Sequence, residues 1–599
     1  MLQDNSSRQN PASDSHTQSG MTVLRSFWLA IPFLAALFLL ILIAKNGVNV
    51  PFGDEWTIPG QFLVQERHSF ADFFAQSNES RLIFPKLIFF ITSKFLGWPP
   101  KHYMYFGWCI VVSITALTYI LCYRPLASRR KPDAITTACI ALTSLLFLSP
   151  AAYENWLWGL QWVIFVPLLC TLIAFCLQVR TQSFSTRYFG TVLLNTIAMF
   201  SFSNGMLLWV LCFPFWKEGL AFLARKRGSQ ARMLRTFIWS LIYLVTAAIL
   251  IAAYFKGYQR NPAHPSVAYA LQQPWNTLKY FWAWCGGALH GNAAMHLILG
   301  LLTVLVSLFF LVHIVLKLRN EPGNKTYYHV RMLYPSLLIL TYAFGSGLVT
   351  TSGRAGFGIE QAYSSRYLFH SGAMTIGLIA MLNAHRVASF RTGKGSFNFS
   401  NIFAGVTLVL LILAFRTWNH GYKMFELMRL SRTQDLLTVR LLDLAPTSPL
   451  VDRVSAGTDL PALVKSLEDK HIYDSSKFGP WILDALRTPP LESEGRVSFN
   501  TESTTEVAIT GWGMIPGQYR PADSILICRS RQGDNSEPWM MLAVGRTRKD
   551  VVQTTGHASL LKSGFLEAFF WKAGNPLPTT DAFVVDETNR RLYRISQQP

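Results

Sequence analysis

The sequence predicts a mainly α, polytopic membrane helix bundle of about eleven spans, followed by a C-terminal β-sandwich-like domain. Three observations carry this. Only 15% of the 599 residues are charged and 51% are hydrophobic, against about 25% charged in ordinary soluble domains. Apolar runs recur from residue 27 to 417 at lengths close to the roughly 20 residues needed to cross a bilayer. From about 497 the pattern changes to short alternating runs broken by Gly, Pro, Asn and Asp, the mark of strands and turns.

Residues 1–22 are rich in Ser, Gln and Asn and are expected to be a disordered tail. The run 27–45 is too long and too far from the start for a cleaved leader, so it is expected to remain as the first helix. Further expected spans are 104–123, 134–149, 162–179, 188–203, 205–216, 236–255, 294–317, 332–350, 368–385 and 400–417, with 188–216 also readable as one hairpin tipped at Ser203-Asn204-Gly205. The segment 23–417 is thus one membrane unit. Residues 418–490 have helical periodicity (Met424, Leu427, Leu430, then Leu436, Leu437, Val439, Leu441) and are expected to form a helical connector. Residues 491–599 form the β-rich domain.

Net charge is +21. On a soluble protein that would raise nucleic-acid binding. Here the cations fall in short connections: Arg124, Arg129, Arg130 and Lys131; Lys217, Arg225, Lys226, Arg227, Arg232 and Arg235; Lys317, Arg319, Lys325 and Arg331; His385, Arg386, Arg391 and Lys394. They read as topology signals and lipid headgroup contacts, with no nucleic-acid partner. All four connections, and the tail with Arg8 and Arg25, share the cytoplasmic side if 82–98 does not span. Segments 58–98 and 268–290 are therefore expected to hold interfacial helices, with Trp98-Pro99-Pro100 as a break and Trp275, Trp282 and Trp284 as interfacial aromatics. Most of the eight cysteines lie in apolar runs without metal-ligand spacing, and Cys528 stands alone in the C-terminal part.

The opposite connections hold the chemistry. The first begins Pro51-Phe52-Gly53-Asp54-Glu55-Trp56. In an extended segment one of the two carboxylates would face a cleft and the other a helix end or a base. Asp54 also suits a helix cap before Thr57-Ile58-Pro59. The same loop carries Asn78-Glu79-Ser80-Arg81, a surface ion pair or a headgroup anchor. In Tyr153-Glu154-Asn155-Trp156-Leu157-Trp158-Gly159-Leu160-Gln161, helical spacing would put Glu154, Trp158 and Gln161 on one face. An acid, a flat ring and an amide together suit a sugar; an aromatic belt beside a solvated acid is the plainer reading. The segment 353–367 supplies Arg354, Glu360 and Arg366. Arginine matches phosphate through paired hydrogen bonds, so Arg366 with Arg354 is the candidate site for a lipid-linked phosphate; snorkelling at the membrane boundary is the alternative. His264 and His290 lack partners at metal spacing and read as structural or exposed.

With an acidic motif after the first helix, interfacial helices in the same loop and a C-terminal soluble domain, the chain resembles the C-type (GT-C) glycosyltransferase superfamily over about residues 24–417. The Glu-Asn-Trp-Leu-Trp-Gly-Leu-Gln and Ser-Ser-Arg-Tyr runs are similar to those of bacterial members. The resemblance implies a bacterial inner-membrane enzyme with a cytoplasmic N-terminus and a periplasmic C-terminal domain. It would move sugar from a polyprenyl-phosphate carrier to a glycan, lipid or surface-protein acceptor among membrane lipids. It implies Asp54, or Glu55 beside it, as the catalytic carboxylate, since an attacking hydroxyl must lose its proton. Arg366 and Arg354 would hold the donor phosphate, and Glu154, Asn155, Trp158, Gln161 and Glu360 would bind sugar or acceptor. The resemblance fixes no cofactor: some relatives use a divalent ion and others do not, which leaves a divalent metal open. Three further readings compete. An O-antigen-type polymerase or ligase would also use lipid-linked sugar, but lacks the early acidic pair. A transporter or flippase would carry charge near the bilayer midplane, where these spans have almost none. A non-catalytic scaffold displaying the β-domain is a third.

Overall fold

The computed structural model describes residues 11–127, 132–223, 230–320, 324–391, 397–455, 457–488, 491–501, 503, 505–530, 536–571 and 577–595. Of the expected tail, residues 1–10 lie outside these. So do Arg129, Arg130, Lys131, Arg225, Lys226, Arg227 and Lys394 among the topology-setting cations.

The chain is mainly helical, and eight of its described helices are long and apolar enough to cross a membrane. They are Ser26–Asn46, Pro100–Leu126, Gln161–Arg180, Met233–Phe255, Ala293–Asn320, Thr326–Phe357, Ser365–Ser389 and Asn398–Arg440. The other three expected spans are shorter. Ala134–Phe147 has 14 residues. Phe184–Met199 has 16. The stretch 205–216 is broken into a 3-10 turn, Ser203–Leu207, and one helical turn, Leu208–Leu211. A Cβ on Gly205 would meet the Ala198 carbonyl carbon at 2.1 Å, so the hairpin reverses with backbone against backbone. The first helix begins at Pro11, inside the stretch expected to lack order: extending an existing helix is far easier than nucleating one.

Local signals explain the helix starts. Pro100 opens its helix at the first turn, where its missing N–H costs nothing. Asp133 caps Ala134–Phe147 by accepting from Thr136 N at 2.7 Å and also receives Arg386 at 2.8 Å. That joins two of the basic connections. Lys217 bonds the carbonyls of Gln178 and Val179, and His385 lies against His313 and His329, centroids 5.8 and 5.5 Å apart. The described parts of the basic connections therefore gather at one end of the bundle.

The other connections gather at the opposite end. Tyr473 donates to Asn49 O at 3.2 Å, Ser203 N to Ser80 Oγ at 3.2 Å, and His290 N to Thr417 Oγ1 at 2.9 Å. The stretch 82–98 forms a 14-residue helix, Ile83–Leu96, below spanning length as expected. Pro274–Gly286 is likewise short. It crosses Ala293–Asn320 at glycines: a Cβ on Gly300 would fall 1.7 Å from Trp282 O. Trp275 is exposed there, but Trp284 is wholly buried. It packs against Gly347 as a core residue rather than an interfacial one, because this close crossing draws it inward.

The helix Phe397–Arg440 runs 44 residues without a break. It carries the chain out of the bundle into the connector helices Pro449–Ser455, Leu460–Asp469 and Trp481–Arg487. The C-terminal region holds two sheets. One has five strands in the order Leu491–Ser493, Arg591–Ile595, Thr580–Asp586, Ser524–Ser530, Ser536–Ala543; the other centres on Glu506–Ile515, paired with Gly495–Thr501 and Gly564–Phe570. Ile509, Ile525, Trp539, Phe565 and Val584 share one core between them. Gln434 of the long helix bonds Met541 O at 2.6 Å and Ala543 N at 2.8 Å, covering the edge strand's free backbone groups.

Candidate functional site

The acidic pair sits where the first loop turns. Gly53 takes φ +51°, and a π-helical turn, Trp56–Gly60, follows. The two carboxyls part company on a backbone that is helical rather than extended. Asp54 is half-buried. Its carbonyl accepts from Thr57 Oγ1 at 3.2 Å, but its carboxylate caps no helix and takes no hydrogen bond from a described residue. Glu55 is wholly buried. Its Oε2 accepts from Phe52 N at 2.8 Å, and its Oε1 has no partner. Burial pushes the Glu55 carboxyl up to about 8; the Phe52 hydrogen bond and the charge of Arg432 pull the other way, and Asp54 adds to the rise.

The Glu154 run does not fold as one helix. Only Tyr153–Leu157 is helical, and Trp158 is extended, at φ −121° and ψ 111°. Gly159 causes the break. A Cβ there would lie 2.6 Å from Glu55 Oε1 and 2.8 Å from Pro100 O, so the chain must pass as bare backbone. Glu154, Trp158 and Gln161 accordingly share no face. Trp158 is no open plate for a sugar: it is nearly buried, with its ring edge-on to Phe52 at 4.9 Å. Gln161 starts a separate 3-10 turn, Gln161–Phe165.

Glu154 instead reaches the far connection. It accepts from Ser365 Oγ and lies 3.4 Å from Arg366 Nη2. Asn155 Nδ2 donates to Arg366 O at 3.2 Å. Arg366, in the 3-10 turn Ser365–Tyr367, remains 42% exposed along its side chain, so it is open to a ligand. Glu360 is exposed, and the contacts bring no other site residue to it.

Arg354 is already engaged. It forks onto Glu79 at 2.7 and 2.8 Å and approaches His264 Nε2 at 3.0 Å, while His264 Nδ1 contacts Glu79 as well. The expected Glu79–Arg81 pair does not form. Arg81 is buried and gives its donors to the carbonyls of Tyr254, Phe74 and Lys256 at 2.5 to 2.6 Å. Backbone acceptors at the end of Met233–Phe255 outcompete the neighbouring carboxylate. Arg354 and Arg366 still act on one place, since the charges of both reach Tyr280 and Tyr367. His290 stacks on His420 at 3.6 Å.

Sequence reasoning missed Arg432. It comes from the long helix, 380 residues beyond the loop it serves, and its guanidinium covers the Phe52 ring at 3.5 Å. It pairs with Asp435 at 2.7 Å, and its charge reaches Glu55 and Glu154. In sequence it is one more polar residue on a periodic helix. Ser364 and Ser365 were within the quoted run, but only the Glu154 contact gives Ser365 a role.

The site concentrates buried polar atoms without hydrogen-bond partners: Glu55 Oε1, Asn155 Oδ1, Trp158 Nε1, Ser364 Oγ, Arg366 Nε and Arg432 Nε. Buried polar atoms are normally satisfied, so such a cluster suits a ligand rich in donors and acceptors. Among the described residues no group of three or more His, Cys, Asp or Glu side chains is arranged to hold a metal ion. Comparison with family models, curated proteins and solved structures found no match.

Proposed function

We propose that this chain is a membrane glycosyltransferase of the GT-C type. It transfers sugar from a polyprenyl-phosphate carrier to an acceptor at the end of the bundle that holds Asp54. That end faces the periplasm and the basic end the cytoplasm of a bacterial inner membrane. The observation that carries the reading is the convergence of a free carboxylate, a buried carboxyl and two arginines from three distant segments on one set of unpartnered polar atoms.

The chemistry follows from the placement. Asp54 is half-exposed and its carboxylate takes no hydrogen bond from a described residue, so it serves as the base that takes the proton of the acceptor hydroxyl. The oxygen attacks the anomeric carbon, and the bond from that carbon to the phosphate oxygen breaks. Polyprenyl phosphate leaves with the bonding electrons, and Arg366 stabilises its charge, with Arg432 behind it. Glu55, wholly buried and protonated below pH 8, holds the turn at Phe52 beside Asp54 rather than acting as base. Glu154 and Ser365 hold Arg366 in place. Arg354 anchors the loop through Glu79.

The test is transfer from labelled polyprenyl-phosphate sugars by the purified protein, comparing wild type with Asp54→Asn, Glu55→Gln and Arg366→Ala. Loss of transfer in Asp54→Asn and Arg366→Ala supports the assignment. Transfer retained in all three sinks it, and movement of the carrier across vesicles without transfer points to a flippase.

A further inference from the structure

Two clefts open where the connector meets the rest of the chain, and Arg440 lines both. The first, about 770 Å3, is bounded by Trp98, Glu468, His471, Tyr473, Asp474 and Ser476. The second, about 550 Å3, is bounded by Lys477, Trp481, Asp484, Glu587 and Arg590. Each is of ligand-binding size. The segment 474–481 supplies walls of both. Arg440 spans the junction: its Nε donates to Ser476 O at 2.9 Å, its Nη atoms meet Glu587 at 3.2 Å, and its guanidinium lies over Phe478 at 4.0 Å.

The inner end of this trough backs onto the candidate site. Trp98 and Tyr473 both meet the ring of Trp56, centroids 6.3 and 6.0 Å away, and Trp56 follows Glu55 directly. The charge of Glu55 is also felt at Tyr473. Backbone strain gathers along the trough. Five described non-glycine residues have positive φ, and three of them, His471 (54°), Ser476 (50°) and Arg590 (52°), line it.

The lining indicates the occupant. Glu468, Asp474, Asp484 and Glu587 disfavour a polyanion. Arg440, His471, Lys477 and Arg590 disfavour a polycation. Many of these charges already neutralise one another, as Lys477 does with Glu468 at 2.8 Å. What remains is a balanced set of donors and acceptors, with the half-buried ring of Trp481 in the second cleft and Leu96, Pro99, Leu436 and Ile472 along the first; ligand sites commonly combine such apolar faces with a few fixed polar groups. Hydroxyl groups, which both donate and accept, match such a wall.

We propose that the two clefts joined at Arg440 form the acceptor trough, and that the acceptor is a neutral glycan chain several sugars long, its growing end directed at Glu55 and Asp54. This rests on the transfer reading above, but its test separates the two. Full-length protein in nanodiscs is titrated with neutral oligosaccharides of increasing length, with oligouronates and with unstructured peptides, alongside Trp481→Ala, Arg590→Asn and Asp54→Asn. Arg590→Asn keeps a residue at ease in the left-handed region and guards against a folding defect at Trp481. The expected result is neutral oligosaccharide binding that tightens with length, and weakens at least tenfold in Trp481→Ala and several-fold in Arg590→Asn. Absence of neutral-glycan binding, preference for oligouronate or peptide, or wild-type binding by both trough variants overturns the proposal. If Asp54→Asn transfers sugar as well as wild type while Trp481→Ala alone loses glycan, the transfer site is wrong and the trough stands.

Discussion

The guanidinium of Arg432 lies on the ring of Phe52, 3.5 Å from its centroid. It ties the far end of a 44-residue helix to the loop that carries Asp54 and Glu55. Two residues further on, Gln434 holds the edge strand of the C-terminal sheet. One turn of helix therefore touches both the acidic pair and the β-domain.

Removing that cation should cost activity before stability. Arg432→Met keeps an unbranched chain on Phe52, and Asp435 retains Arg453 at 3.0 Å. The expected loss of transfer is about 100-fold, the size found when one preorganised donor is removed. Arg432→Lys should recover only part, because an ammonium cannot stack as a planar guanidinium does. Steady-state transfer assays and thermal melts of both variants check this.

Glu55 makes stability depend on pH. Its folded pKa, raised from 4.5 to about 8, means the native state holds a proton that the unfolded chain has lost. Between those values stability falls as pH rises, by at most about 1.4 kcal/mol per unit. Glu55→Gln abolishes this slope. Melting temperatures across pH 5 to 9, roughly the window set by the two values, should decline for wild type more steeply than for the variant. Parallel curves would mean that Glu55 is ionised throughout.

Gly159→Ala should disable the site by geometry alone. The new methyl would fall 2.6 Å from Glu55 Oε1 and 2.8 Å from Pro100 O, well inside contact distance. We expect loss of transfer together with about 1–3 kcal/mol of destabilisation, the usual range for overpacking. Gly53→Ala is a useful contrast. There the penalty comes from φ +51° and not from a neighbour, and transfer should fall less.

Arg366→Ala should raise the donor KM by tenfold or more, in line with the ~1.5–3 kcal/mol of a hydrogen bond to a charged group, and leave acceptor affinity unchanged. Glu154→Gln frees the same guanidinium, 3.4 Å away, and should raise the donor KM by less. In the double mutant the effects should not add, because both act through one side chain. Additive losses would place Glu154 on a different ligand.

Arg81 is a structural prediction. Its three carbonyl partners fix the loop at 74–81 to the end of Met233–Phe255. Arg81→Met should lower stability by roughly 3 kcal/mol, since one buried and two half-buried acceptors lose their donor. Faster proteolysis near residues 74–81 and 254–256 would report it.

What the sequence could show was whatever depends on neighbours along the chain. Apolar length is such a property, so the runs at 27–45, 236–255 and 294–317 lie within long helices, and the change of periodicity near 497 marks the sheets. Pro100 and Asp133 are helix starts for equally local reasons. The site was less legible because its decisive relations are distant. Gly159 looks like any glycine until Glu55 and Pro100 stand beside it, and its break takes Trp158 out of line with Glu154. Glu79 and Arg81 are two residues apart, yet one joins Arg354 and the other the carbonyl groups near Tyr254. Arg432 carried no local signal at all.

The unbroken helix Phe397–Arg440 has a further consequence. At 1.5 Å per residue its 44 residues measure about 66 Å, while the hydrocarbon layer takes about 30 Å. Roughly half of the rod therefore stands clear of the lipid, with no hinge at the surface. The C-terminal sheets ride on a strut of set length, and their stand-off from the bilayer is fixed by residue count rather than by tether entropy. Inserting one helical turn between Trp418 and Met428 would lift them by about 5.4 Å. It would also withdraw Arg432 from Phe52, so the height of the outer domain and the assembly of the acidic loop are a single mechanical variable.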